Sequence, residues 1–163
     1  MALSCEDMRS EPLTVVLKEG TVPYLIGIFL ALGVSVLARG VGFDRDRAFY
    51  PVVMIVIASY YGLFAIMGES MRALGIEASI MLGFIVLSIV GFRSSLWLVA
   101  AALAGHGFLD FFHGRLVANP GVPTWWPPFC LAYDVTAAAY LAWLLRRSRL
   151  PARPQIRTAL AAR

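Results

Sequence analysis

The chain has 163 residues; 60% are hydrophobic and only 15% charged, with a formal net charge of +4 and a mean hydropathy of +0.75. Soluble domains average about 45–50% apolar and about 25% charged residues, so this composition excludes a water-solvated globular domain, a disordered chain and a pair of large domains. What remains is a single all-α bundle in a membrane, whose function has to be read from the few polar residues inside its apolar segments.

Spanning a bilayer takes about 20 mostly apolar helical residues. In chain order the segments that meet this are 22–38, with no charge between Glu19 and Arg39, and 49–67, with none between Arg47 and Glu69. Three more follow at 76–92, which starts beside Glu77, at 96–112, which contains His106 and Asp110, and at 129–145, which contains Asp134. These runs are apolar on all sides and lack the alternation of a barrel strand. Glu6, Asp7, Glu11 and Glu19 outweigh Arg9 and Lys18 ahead of the first run. A secretory signal has a positive n-region, so the segment reads as a retained helix. A charged loop at 39–48 and turns at 68–75 and 91–95 are short, which predicts antiparallel neighbours in an up-down bundle.

Five spans put the termini on opposite sides. One side then holds four Lys and Arg residues and the other ten, including six arginines and no acid in the tail 146–163. The positive-inside rule places the N-terminus outside and this basic tail in the cytoplasm, as in the inner membrane of a bacterium. The tail reads as a topology determinant that can also meet anionic headgroups. It lacks interleaved aromatics, so it does not read as a nucleic-acid surface. The run Asp44-Arg45-Asp46-Arg47 reads as a salt-bridged turn.

With this topology Glu69, Glu77, His106, Asp110, His113 and Asp134 all fall in the outer half of the membrane. At about 100° per residue, Asp110 is about 40° from His106 and His113 about 20° the other way, so the three share one helix face. Ionisable groups inside a membrane are costly and face a bundle interior or a wet cavity. Glu77 and Ser88 offer a matching face on the third helix, with tyrosines Tyr60, Tyr61 and Tyr133 at nearby depths. Two imidazoles with carboxylates are a ligand set for zinc. The expected ligands are His106, Asp110, His113 and Asp134, with Glu69 or Glu77 as general base for attack on an ester, amide or phosphoester. Four carboxylates and two histidines also match a di-iron bundle, although only one carboxylate-x2-histidine motif is present. The alternatives are a hydrogen-bonded or proton-carrying network that pins the helices, and a ligand site without metal. Cys5 and Cys130 show no metal spacing and read as free thiols.

The loop 114–128 is rich in proline and aromatic residues. Four prolines at 119–128 argue against helix there. Trp125 and Trp126 suit the interfacial aromatic belt, so the loop, with Tyr133 just below, reads either as a lid or substrate wall over the polar cluster or as a membrane-interface anchor. Gly27, Ala31 and Ser35 have the small-xxx-small spacing that admits a close helix partner, within the chain or across a homodimer. Met54, Met67, Met71 and Met81 read as gap fillers. The chemistry, though neither the motif order nor the helix number, is similar to that of intramembrane hydrolases of the ceramidase and adiponectin-receptor type. Three functions follow as expectations: a metal-dependent intramembrane hydrolase acting on a lipid or apolar substrate, a carrier or ion-coupled transporter, and a non-catalytic accessory subunit.

Overall fold

The computed structural model describes residues 13–45 and 47–147, with side chains from residue 20 onward. Cys5, Asp46 and the arginines of the tail beyond residue 147 lie outside the described residues. Those described form five helices: α1 Leu13–Val41, α2 Phe49–Met67, α3 Met71–Arg93, α4 Leu96–Leu116 and α5 Trp126–Arg146. All five are long and apolar enough to cross a membrane. Their outward faces stay apolar: Phe29, Leu37, Leu82 and Phe108 are each 60–70% exposed. A helix surface of this kind calls for an apolar solvent.

Helix boundaries extend beyond the apolar runs: α1 by several residues at both ends, and α3, α4 and α5 around the outer turns for local reasons. α3 starts at Met71 because the Ser70 side chain accepts the Ala73 N–H at 3.2 Å and caps it,. α4 carries on through His113 to Leu116. α5 begins at Trp126 and holds Pro127 and Pro128 in its first turn. There their missing donors are orphans in any case, so those two prolines do not keep the segment out of the helix. Only 117–125 is loop.

The neighbours differ from those expected of simple hairpins. α5 packs between α1 and α4, α4 continues onto α3, α3 onto α2, and α2 also touches α4. α1 and α2 follow each other in sequence, yet α1 makes its main seam with α5. The small-residue stripe is the cause. A Cβ at Gly27 would lie 3.0 Å from the backbone nitrogen of Tyr133, and Ala31 and Ser35 are buried. The stripe is occupied by α5 of the same chain, so this face is not free for a second copy. Met54, Leu96, Val99, Leu103, Leu141 and Leu144 fill the core. Met81 packs against it, whereas Met67 and Met71 are exposed and fill no gap.

One end of the bundle collects arginine: Arg39, Arg45, Arg47, Arg93, Arg146 and Arg147 lie at or beyond the ends of α1, α3 and α5. Arg39 pairs with buried Asp44 at 3.3 Å. Arg47, held at φ 73°, donates from Nη2 to the carbonyl of Phe92 at 3.0 Å and so closes the C-terminal turn of α3,. Burial pulls its guanidinium below the ordinary range.

Candidate metal centre

Two helices supply the polar centre. His106 and Asp110 stand one turn apart on α4, and Cys130 and Asp134 one turn apart on α5. Residues four apart share a helix face, and here the two faces meet. One ligand atom from each of the four residues lies within 4.8 Å of the others. All four residues are 2% exposed or less. Gly107 lets the helices approach closely, because a Cβ there would sit 3.2 Å from the Asp134 Cβ and the Leu131 carbonyl.

The internal bonding is uneven. Nδ1 of His106 is 2.7 Å from Oδ2 of Asp134 and 3.4 Å from Oδ2 of Asp110. The Tyr61 hydroxyl, from α2, donates to Oδ1 of Asp110 at 2.7 Å. Oδ2 of Asp110 and Oδ1 of Asp134 accept no hydrogen bond. Buried acceptors without a donor are rare and call for a water, an ion or a role in chemistry. Two carboxylates beside one imidazole in a low-dielectric interior carry a cost that a proton shared with His106 or a bound cation would offset,. Nitrogen, sulfur and oxygen donors together suit zinc.

The residues expected from sequence divide into three places. His106, Asp110 and Asp134 converge. His113 is equally buried but joins Glu77 instead, Nε2 to Oε1 at 2.8 Å, with the Tyr61 ring stacked on it at 3.9 Å. His106 and His113 share a face but are seven residues apart, an axial rise of about 10 Å. That is too far for two imidazoles that each approach one ion to about 2 Å. Glu69 is exposed in the α2–α3 turn at φ 53° and does not reach the group. The four carboxylates and two histidines of a di-iron set are therefore not assembled among the described residues. Ser88 is fully buried, and its Oγ makes no hydrogen bond.

Sequence reasoning missed Cys130 and Asn119. The signal for Cys130 was its i, i+4 spacing to Asp134, which mirrors His106 and Asp110. Asn119, in the 117–125 loop, donates to Oε1 of Glu77 and to the Tyr61 carbonyl, both at 3.0 Å. It ties the loop to α2 and α3. A recess lies beside this loop, lined by His113, Asn119 and Ser70 and otherwise mostly by apolar residues.

On the other side of Cys130 lies a cavity of about 930 Å³ between α1, α2 and α5. Trp125, Trp126, Tyr133 and Cys130 all line it. Cys130 therefore belongs to both the polar centre and the apolar cavity wall. Compared with models of known families, with curated proteins and with solved structures, the chain matches none.

Proposed function

We propose that the chain is an integral membrane enzyme, of hydrolase type, that uses one metal ion, zinc by its donor set, on a lipid or other apolar substrate. The observation that carries this reading is the convergence of four buried donors from α4 and α5 directly behind an apolar cavity. Orientation follows from charge. Among the described residues Arg39, Arg45, Arg47, Arg93, Arg146 and Arg147 mark one end of the bundle, against Arg72 and Arg115 at the other. The positive-inside rule makes the arginine end cytoplasmic and the loop end external, as in a bacterial inner membrane.

A catalytic zinc site keeps three protein ligands and leaves a fourth position for water or substrate. In this reading His106, Cys130 and Asp134 would hold the ion, which would supply Lewis acidity toward the scissile carbonyl or phosphoryl group and toward water. Asp110, steered by the Tyr61 hydroxyl, would accept one proton from the attacking water as its oxygen bonds to the electrophilic centre, and would return that proton to the leaving oxygen or nitrogen as the scissile bond breaks,. Glu77 and His113 form a pair of their own and stiffen the loop end.

The test is turnover in vesicles. Full-length protein is reconstituted into phospholipid vesicles, treated with chelator, and assayed with and without added zinc, with products read by lipid mass spectrometry. The reading expects hydrolysis that chelator abolishes, zinc restores and His106→Ala lacks. No product from zinc-loaded protein, or equal product from His106→Ala, would overturn it.

A further inference from the structure

The helices of this bundle leave one of its sides open. α1 and α2 pack on each other little, and a cavity of about 930 Å³ lies between them with α5 as its floor. Its α2 wall runs from Phe49 to Tyr60, a length of about 16 Å at 1.5 Å per residue. Except for the Tyr60 and Tyr133 hydroxyls, the Cys130 thiol and the indole N–H groups, the lining side chains are hydrocarbon.

The chemistry of the walls decides what kind of molecule fits. A hydrocarbon chain lying along the groove meets hydrocarbon over the full length of the α2 wall and leaves no polar group to satisfy,, whereas the carbonyl ends of a peptide would find few donors there. The two ends also differ. The loop end carries Trp125, Trp126 and Tyr60, amphipathic rings suited to a bilayer interface. The opposite end is lined by Phe49 and Val52, with no polar group.

We infer that this groove holds the hydrocarbon tail of a lipid of the outer leaflet, entering sideways between α1 and α2, with its polar end beside Trp126 and Cys130. The groove then supplies the substrate class of the proposed enzyme: an amphiphile whose labile bond lies at the junction of tail and headgroup. That role rests on the enzymatic reading, but tail binding itself does not require the metal.

The experiment is native mass spectrometry of the full chain in detergent, titrated with dioleoylphosphatidylcholine or with tail-free glycerophosphocholine. Bound metal is measured on the same samples. Val53→Trp and the milder Val56→Phe narrow the groove, and Leu82→Trp adds the same bulk to an exposed face of α3. Wild type and Leu82→Trp should bind the lipid saturably and ignore glycerophosphocholine. The groove variants should bind about tenfold or more weakly, a loss of about 1.4 kcal/mol, with metal content unchanged. Unaltered binding in both groove variants, equal weakening in Leu82→Trp, or binding of the tail-free headgroup overturns the inference. Saturable lipid without metal would sink the enzyme reading and leave the groove standing. Metal without lipid would do the reverse.

Discussion

A single nitrogen of His106 faces carboxylates from two helices, Oδ2 of Asp134 across the α4–α5 seam at 2.7 Å and Oδ2 of Asp110 on its own helix at 3.4 Å. Two i, i+4 pairs on antiparallel helices create this arrangement, and Gly107 sets how closely they meet.

Tyr61→Phe deletes the hydroxyl that donates to Asp110 and keeps the ring stacked on His113. A buried acceptor left unpaired costs about 1–3 kcal/mol. Thermal unfolding in detergent should show that loss. Metal content should stay near wild type, because Tyr61 is not a donor to the ion, while turnover should fall about 10²-fold as the base loses its steering.

Gly107→Leu drives a side chain into the Asp134 Cβ and the Leu131 carbonyl. α4 and α5 should separate, and both metal content and stability should drop, the latter by about 1–3 kcal/mol for overpacking. Gly107→Ala asks for a shift of only a few tenths of an ångström. It should keep the metal. Elemental analysis together with unfolding of the two variants checks the distinction.

Glu77→Ala strips a partner from His113 Nε2 and from Asn119 Nδ2. The expected result is destabilisation of about 1–3 kcal/mol, with the metal retained. Loss of the ion on this change would mean that Glu77 is a ligand, as the sequence alone allowed. Asn119→Ala should loosen the 117–125 loop, read as faster amide exchange there.

Arg47→Ala removes the bond to the Phe92 carbonyl, at a cost of about 1–2 kcal/mol. Its pH dependence has a definite sign. Burial lowers the guanidinium pKa, which disfavours the charged form in the folded state, so stability from this group could rise only as pH climbs through that lowered value. Arginine stays protonated in both states at ordinary pH. The difference between wild type and variant should therefore be flat from about pH 6 to 9, as urea titrations at several pH values would show.

Much of this architecture was legible in the residues. Charge-free runs located α1 and α2, apolar runs with one acid each located α3, α4 and α5, and α2 matches its run residue for residue. Polar side chains within apolar segments marked His106, Asp110 and Asp134 as a group. Hidden from view was what depends on three-dimensional pairing. The wheel put His113 on the same stripe as His106, but rise along the axis carried it to α3 and Glu77. Cys130 has no metal spacing along the chain, because its fellow donors His106 and Asp110 stand on another helix. The α1–α5 seam was masked by the short α1–α2 connection, although Gly27, Ala31 and Ser35 already signalled a close partner.

Metal stoichiometry tests the central claim most directly. Full-length protein purified without chelator, with His106→Ala, Asp134→Ala and His113→Ala beside it, is analysed for metal per chain. The account predicts about one ion in wild type and in His113→Ala, and less than about 0.2 in His106→Ala and Asp134→Ala. Less than about 0.2 in wild type, or an undiminished ion in His106→Ala, would contradict it.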